Sequence, residues 1–216
     1  TLPEDLRLFP GLMPAGAEDA LLVLGIIWFV NAVNFLDGLD WMTVAQVVPI
    51  TFGVAAMHVL GAVPATVTLL ALALLGATLG FAVFNKHPAS IFLGDAGSLP
   101  IGLCVAFMLI FVAKTSLAAA LLLALYTLAD ATATLLRRFA AGEKLFSAHR
   151  THFYQRGVAA GLSVPQVTAR VFLLGLLLAL LAIGAVLANS AAADLALLAI
   201  GGAATALTLY ALGKGR

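Results

Sequence analysis

Seven long apolar segments alternate with polar segments along the chain. A helix that crosses a lipid bilayer needs about 20 mostly apolar residues, with about 17–25 as the usual range. The pattern therefore predicts an all-α fold, a polytopic integral membrane helix bundle with about seven transmembrane helices in a single transmembrane domain, 1–216. The predicted helices cover about 20–36, 44–62, 65–84, 98–114, 116–136, 170–188 and 193–212.

The composition supports a membrane protein. The chain is 63% hydrophobic and 10% charged, whereas soluble globular domains are about 45–50% apolar and about 25% charged. So few charges could not cover the surface of a soluble domain. The single cysteine, Cys104, lies in an apolar segment, so a disulfide framework or a cysteine-based metal site is excluded.

The basic residues predict the orientation in the membrane, because cytoplasmic loops carry an excess of Lys and Arg. Alternate connections hold nearly all of them, and the other set holds little besides Arg7 and Lys114. The predicted cytoplasmic loops are about 34–43, 85–97 and 137–169, with the first residue outside and the last inside. The basic residues assigned to the cytoplasm are Lys86, Arg137, Arg138, Lys144, Arg150, Arg156, Arg170, Lys214 and Arg216.

The first polar segment, NAVNFLDGLD, closes the first predicted helix. Its polar residues, three apart, would share one side of a helix that continued, although Gly38 indicates a helix end. Carboxylate and amide oxygens suit a hard cation such as Mg²⁺, or the hydroxyl groups of a ribose. The alternative is a polar helix end in water, where acids would be unfavourable beside the negative end of the helix dipole. These residues are Asn31, Asn34, Asp37 and Asp40.

The second polar segment, NKHPASIFLGDAGS, places Asp95 at the start of the fourth predicted helix. Helix N-termini attract phosphate groups, and an Asp beside such a site can hold a divalent metal that bridges phosphate oxygens. A simple N-cap is the alternative role for Asp95. Lys86 and His87 could equally anchor the chain at the membrane interface.

The third polar segment, 137–163, is the longest and the most basic. Arg groups bind phosphate in a bidentate manner, and His can donate to it or accept from it. The alternative is a basic loop that touches lipid headgroups, which explains the Arg residues but not the others. A zinc site at two of the His residues would lack the usual Cys or HExxH partners. Six polar side chains fall within eight positions: His149, Arg150, His152, Tyr154, Gln155 and Arg156.

Together the three segments offer acids, a metal-binding Asp, a helix N-terminus and a cationic cluster. These groups suit phosphoryl transfer, in which positioning and electrostatics supply most of the catalysis. Chemistry beside a bilayer indicates a lipid phosphate as one substrate. One alternative is a small-solute membrane transporter with a proton path through Asp130 and His58, although the sequence shows no inverted repeat. A non-catalytic scaffold would not need three such loops.

In these three segments the chain resembles the polyprenyl-phosphate N-acetylhexosamine-1-phosphate transferase family, which includes the phospho-N-acetylmuramoyl-pentapeptide transferases. NAVNFLDGLD is similar to the family's Asn-x-x-Asn-x-x-Asp-Gly-x-Asp element, and IFLGDAGSLPIG is similar to its Phe-x-Gly-Asp-x-Gly-Ser element. The resemblance runs from about 20 to about 160. The third segment follows the spacing of the glycan-initiating branch at Asp130, Arg137, Arg138, Gly142, Phe146, Arg150 and His152.

The resemblance implies roles for the matched residues. Asp95 would be the principal ligand of Mg²⁺, or of Mn²⁺ in its place, with Asn34 as a helper. Phe92 would stack on the uracil that Asn85 also contacts, and Asp37 and Asp40 would shape the nucleotide end of the site. The implied catalytic residues are Asp37, Asp40, Asp95 and His152. The implied substrate-binding residues are Asn34, Asn85, Phe92, His149, Arg150 and Arg156.

The implied reaction is attack by a polyprenyl phosphate on the β-phosphate of a UDP-sugar carrying an N-acetylhexosamine or a modified N-acetyl sugar. UMP leaves, and a lipid-linked pyrophosphoryl sugar forms for cell-envelope glycans such as O-antigen and lipopolysaccharide or the cell wall. The location implied is the bacterial inner membrane, with the site facing the cytoplasm. The expected partners are the polyprenyl phosphate, the UDP-sugar, the membrane and a second copy of the chain, with no nucleic acid.

The chain departs from the family pattern at three points. The family's His-x-His-His element is replaced by His152, Phe153, Tyr154 and Gln155, and the last two cannot carry a proton near neutral pH as His does. Trp41 stands where many members have Gly. The adjacent Asp-Asp pair of an earlier cytoplasmic loop is missing from the sequence. We therefore expect the sequence to begin partway through a longer protein.

Overall fold

In the computed structural model, which describes residues 7–144, 147 and 149–215, the chain is helical throughout its regular structure, without strands in that part. Seven of the helices are long and apolar enough to cross a membrane, so the predicted all-α polytopic architecture is confirmed. Phe146 lies outside the described residues. The helices are α1 (Ala15–Phe35), α2 (Met42–Val59), α3 (Ala65–Phe84), α4 (Gly94–Thr115), α5 (Leu117–Ala140), α6 (Phe153–Ala159), α7 (Val164–Ala188) and α8 (Ala191–Lys214).

The long helices fall where the apolar segments lie, with differences at the ends. α3 has the predicted bounds, whereas α7 begins at Val164 rather than at 170. A capping box explains the earlier start: the amide of Gln166 donates to Ser163 Oγ over 3.3 Å, and the Ser163 amide donates to Gln166 Oε1 over 2.8 Å. The short helix α6 was not predicted, because seven residues inside a basic loop carry no apolar period.

The centre of the bundle is α2, because 72% of the residues in its apolar stretch are buried. Small residues bring α7 close to it: a Cβ atom at Gly175 would lie 2.9 Å from Pro49 Cγ, and one at Gly53 would lie 3.2 Å from the Ala179 Cβ. Close approach at Gly and Ala is the usual basis of helix packing in membranes. By contrast, only 22% of the residues in the apolar stretch of α3 and 17% of those in α8 are buried. Most of the surface of these two helices is therefore left for lipid.

Hydrogen bonds between helix ends define the two ends of the bundle. At one end Thr115 Oγ1 donates to the carbonyl of Ala62 over 2.6 Å, joining the end of α4 to the connection between α2 and α3. At the other end the polar segments join the last turn of α1 to the first turn of α4, and α6 to both α1 and α8. All three polar segments thus meet at one end of the bundle.

Candidate active site

The first and second polar segments meet through Asn34 and Asp95. The Asn34 side-chain amide donates to Asp95 Oδ1 and to Ser98 Oγ, both over 2.8 Å. Asn34 lies in the last turn of α1, and Asp95 lies exposed in the first turn of α4. Residues that are 61 positions apart in sequence therefore form one polar pair at the membrane end. Asn31, by contrast, bonds back to the carbonyl of Ile27 on its own helix.

Asp37 is the second carboxylate of this cluster. α1 ends at Phe35, so Asp37 lies in the connection to α2 and not on a continued helix, as Gly38 indicated. Burial raises the pKa of Asp37 to about 6; the hydrogen bond donated by Thr43 opposes this shift, and the charge of Asp95 adds to it. A carboxylate that titrates near neutral pH beside a second acid is a natural neighbour of a cation.

Asp40 joins the connection between α1 and α2 to the connection between α3 and α4. Its Oδ2 atom lies 2.6 Å from His87 Nδ1 and accepts from the amide of Ala89 over 3.1 Å. His87 is thus a partner of Asp40, a role that the sequence pattern did not indicate. The carboxylate of Asp40 fixes the loop that carries Phe92.

Asn85 is buried and holds the same two connections together. Its Oδ1 atom accepts from the backbone amide of Trp41 over 2.7 Å, and its Nδ2 atom donates to the carbonyl of Ile91 over 2.8 Å. Trp41 has a left-handed backbone, with φ 64°, and its indole donates to the carbonyl of Ala82 over 2.7 Å. The φ value explains why Gly suits this position in the family, since Gly adopts it without strain.

A cavity of about 220 Å³ opens beside these groups. Phe92, which is 72% exposed, stands at this cavity, so its ring is available to a ligand. Asp40, Asn85 and Phe92, predicted for the nucleotide end of the site, are thereby brought together. The cavity is lined by Asp37, Gly38, Leu39, Asp40, Asn85, Phe92, Leu93 and Gly94.

Helix α6 carries the third segment onto α1. The hydroxyl of Tyr154 donates to the carbonyl of Phe35 over 3.0 Å, at the last residue of α1. Burial raises the pKa of the Tyr154 phenol, and the nearby carboxylates of Asp130 and Asp37 raise it further, so the phenol stays protonated. Tyr154, which replaces a family histidine, is therefore part of the contact between segments.

A second cavity, of about 340 Å³, lies on the α6 side of the connection between α1 and α2. Gly38 and Leu39 line both cavities. The exposed Arg150 contributes the charged group of this second cavity. Its other lining residues are Gln155, Val158 and Ala159.

His152 is buried at the start of α6, with 3% of its surface exposed. Its Nδ1 atom lies 3.2 Å from Oδ1 of Asp130, a completely buried residue of α5. The ring of His149 lies 5.0 Å from that of His152, centre to centre. Burial lowers the pKa of His149, and the charge of Arg138 lowers it further, so His149 is mostly neutral at pH 7.

Two guanidinium groups flank the ring of Phe153, that of Arg137 at 5.9 Å and that of Arg156 at 5.5 Å. Arg137 also donates to the carbonyl of Thr151 over 2.6 Å. Arg156 donates to the carbonyl of Gly213 over 3.4 Å, at the end of α8. The predicted substrate residue Arg156 is therefore directed towards α8, whereas the predicted substrate residue Arg150 lines the second cavity.

Metal ligands were predicted at Asp95 and Asn34. In the described part of the chain no three His, Cys, Asp or Glu side chains come together as a metal cage. Mg²⁺ is usually bound by one or two carboxylates together with substrate phosphates and water. The exposed Asp95 carboxylate and the adjacent amide of Asn34 suit that kind of site. Rotation of the Asn34 amide about its last side-chain bond would turn its oxygen towards the space beside Asp95.

Sequence patterns missed several residues of the site. Thr43 and Ser98 bind the acidic cluster through ordinary hydroxyl groups that no motif distinguishes. Tyr154 was noticed only as a departure from the family pattern. Asp130 did carry a signal, since an ionisable residue in an apolar helix is a functional hypothesis by default.

The sequence was also compared with those of known proteins. Residues 8–113 match glycosyl transferase family 4. Over 168 residues the chain is 29% identical to the probable undecaprenyl-phosphate N-acetylglucosaminyl 1-phosphate transferase of Bacillus subtilis, an alignment that covers 76% of this chain and 47% of that protein. It is 42% identical over 104 residues to a phospho-N-acetylmuramoyl-pentapeptide-transferase of Lactiplantibacillus plantarum, covering 47% of this chain and 32% of that protein. The aligned part of the chain thus spans less than half of each relative.

Proposed function

Because residues 8–113 match glycosyl transferase family 4, we propose that this chain belongs to that family and transfers a sugar phosphate from a UDP-sugar to polyprenyl phosphate. The sugar would be an N-acetylhexosamine or a modified N-acetyl sugar. The observation that carries the proposal is the pairing of Asn34 with Asp95, which joins the two acidic elements shared with the family. The names of the two relatives, both phosphosugar transferases, support the same reaction.

In the proposed reaction, an oxygen of polyprenyl phosphate forms a bond to the β-phosphorus of the UDP-sugar. The bond from that phosphorus to the bridging oxygen breaks, and UMP leaves with the bridging oxygen. The product is a polyprenyl pyrophosphoryl sugar. No covalent bond to the protein is needed, so the residues act by positioning and by electrostatics.

The uridine end of the donor is assigned to the cavity beside Phe92. The exposed ring of Phe92 can stack on the uracil, as aromatic side chains commonly do with bases. Asn85 keeps the loop in place through its bonds to Trp41 and Ile91. Asp40 supports the same loop, so its catalytic role would be to shape this cavity.

The phosphate groups are assigned to the space between the acidic cluster and the loop before α6. Asp95 and Asn34 would hold Mg²⁺ there, or Mn²⁺ in its place, which neutralises the negative charge of the phosphates. Asp37, adjacent to this pair, would keep the local charge favourable to a cation. Arg150 and His152 would contact the pyrophosphate or the sugar from the side of α6, with His149 behind His152.

The proposed location is the bacterial inner membrane, with the site facing the cytoplasm. The seven apolar helices and the bacterial relatives support a multi-span membrane protein, and the basic loops lie at the same end as the site. Labelling of Lys144→Cys, in a chain with Cys104 replaced, tests the orientation. Reaction with an impermeant reagent from the cytoplasmic side is expected, and reaction only from outside would reverse the proposed topology. The lipid product would serve cell-envelope glycan synthesis, and a homodimer is the proposed assembly.

The alternative function, solute transport along a proton path, has less support. His58 Nδ1 lies 3.0 Å from the carbonyl of Val63, in the connection between α2 and α3. Asp130 lies near the opposite end of the bundle, where its carboxylate binds the start of α6. The two residues are therefore engaged in separate local contacts at different ends of the molecule.

The proposal is tested in membranes that contain the protein, polyprenyl phosphate, Mg²⁺ and one of a panel of labelled UDP-sugars. UMP and a lipid-linked sugar are the expected products. Asp95→Asn should lower the rate by more than about 10²-fold, as expected for a group that stabilises transition-state charge. The matched control is Asp194→Asn, in the first turn of α8 and so at the end of the bundle away from the site. This variant should keep the rate of the wild type. No product from any sugar would overturn the proposed transferase, and a fully active Asp95→Asn variant would overturn the metal assignment.

A further inference from the structure

The carboxylate of Asp130 accepts five hydrogen bonds from described residues while it is completely buried. Two come from hydroxyl groups one turn away on α5, Tyr126 and Thr134, both over 3.2 Å. Three come from the start of α6: the backbone amides of Phe153 and Tyr154, over 3.0 and 3.3 Å, and Nδ1 of His152. Asp130 thus joins the membrane helix α5 to the short helix α6.

A buried carboxylate is tolerated when its lone pairs are satisfied by donors. The hydroxyl groups of α5 satisfy only part of this demand, and the first turn of α6 supplies the rest. Seven residues are too few to form a stable helix alone. The carboxylate of Asp130 therefore holds the start of α6, with His152, against α5.

The same contact determines which nitrogen of His152 carries the proton. An ionised carboxylate can only accept hydrogen bonds, so the Nδ1 atom that faces Asp130 must be the donor. In the neutral ring, Nε2 is then unprotonated, and it points away from Asp130. The ring of His149 lies 5.0 Å from that of His152, and Arg150, two residues before His152, lines the second cavity.

We propose that Asp130 is a positioning residue of the transferase site. It fixes the Nδ1–H tautomer of His152 and presents Nε2 to accept a hydrogen bond from the bound donor. The inference rests on the proposed function, because His152 matters only if the loop before α6 binds substrate. In this chain Tyr154 and Gln155 stand in place of two family histidines, so His152 is the histidine of that element whose orientation can count.

The tautomer can be measured directly by ¹⁵N NMR, because the chain contains only four histidines. His152→Gln identifies the His152 resonances in the full chain. In the neutral ring of His152 we expect the Nδ1–H tautomer, and we expect its loss in Asp130→Asn. Tyr126→Phe, which keeps the carboxylate and removes one other donor, is the control that should retain the tautomer. An Nε2–H form in the wild type, which does not depend on any variant folding, would overturn the proposal.

Kinetics distinguish positioning from a general structural role. With UDP-N-acetylglucosamine, or whichever UDP-sugar of the panel is turned over, Asp130→Asn should lower kcat about 10- to 100-fold, as is typical when a partner that orients a histidine is removed. The double variant with His152→Gln should be no slower than His152→Gln alone. Losses that multiply would overturn the proposal. A wild-type chain that turns over no sugar would instead contradict the proposed function, and the NMR result would still decide the contact.

Discussion

The hydroxyl group of Tyr154 lies against Gly38, in the space where any other residue at position 38 would place its Cβ atom. The Tyr154 ring carbon Cζ lies 3.2 Å from the same point. This close approach holds α6 against the connection between α1 and α2. Gly38 is therefore required by packing between two separate polar segments as well as by the turn.

Gly38→Ala should destabilise the protein by about 1–3 kcal/mol, the usual effect of overpacking. In a Tyr154→Phe background the hydroxyl is absent, so the same substitution should lower the melting temperature less. Gly80→Ala on α3 is the control, since no atom lies within 4 Å of its Cβ position, and it should not lower the melting temperature. An equal loss from Gly38→Ala in both backgrounds would show that the two residues are not coupled.

Substitution by Gly or by Ala should affect stability in opposite orders at Trp41 and at Trp28. Both indoles donate a hydrogen bond, to Ala82 in one case and to Thr132 in the other. Only Trp41 has a left-handed backbone, which disfavours residues other than Gly by about 1–2 kcal/mol. Trp41→Gly should therefore be more stable than Trp41→Ala.

At Trp28, which lies inside α1, Ala should be the more stable substitution by about 1 kcal/mol, because Gly is a poor helix former. Thermal unfolding in detergent compares the four variants. The same order at both positions would contradict the assigned backbone of Trp41.

Phe92→Ala should raise the KM for the UDP-sugar about tenfold or more, since stacking of a base on an aromatic ring contributes about 1–3 kcal/mol. Phe139 is the matched control, because it is 71% exposed where Phe92 is 72% exposed. Phe139→Ala should leave KM unchanged, and neither variant should alter the melting temperature much. An unchanged KM in Phe92→Ala would contradict the assignment of the uracil to this cavity.

Asp37→Asn should stabilise the protein without added metal in a way that depends on pH. Burial raises the pKa of Asp37 to about 6 in the folded chain, against about 3.9 for an unperturbed Asp. The folded state therefore favours the protonated form, and this stabilising contribution is lost as the pH rises from about 4 through about 6.

The melting temperature of Asp37→Asn should accordingly be higher than that of the wild type at pH 7 and similar to it near pH 4. Asp40→Asn should show no such gain, because the Asp40 carboxylate accepts hydrogen bonds from His87 and Ala89. If the difference in melting temperature between Asp37→Asn and the wild type stayed the same from pH 4 to pH 7, the cause assigned to the pKa shift would be contradicted.

The membrane helices could be predicted because each depends on a property of its own residues, the length of an apolar segment. Helix α6 depends in part on Asp130, a residue 23 positions away from Phe153, and a contact over that distance is not indicated by hydropathy. The early start of α7 was predictable from Ser163 and Gln166, whose spacing is that of a capping box. It was missed because the prediction followed hydropathy alone.

The candidate site divides in the same way. Asn34 and Asp95 were predicted together from acids and amides near a helix N-terminus, and they do form a hydrogen-bonded pair. Two other contacts could not be predicted from the sequence, because each depends on how separate polar segments pack. They are the bond between His87 and Asp40 and the contact between Tyr154 and Gly38. The position of Arg156 in a basic segment did not reveal its contact, because its guanidinium binds the end of α8 and does not line a cavity.

The order of the helices also has a consequence for biosynthesis. The residues of the Asn34–Asp95 pair and of the cavity beside Phe92 are all present once α4 has left the ribosome. The residues of α6 follow about forty positions later, so they leave the ribosome after α4 and α5, because synthesis runs from the N-terminus. The growing chain therefore carries its acidic half-site first, and only the insertion of α5 and the docking of α6 supply the groups that oppose it.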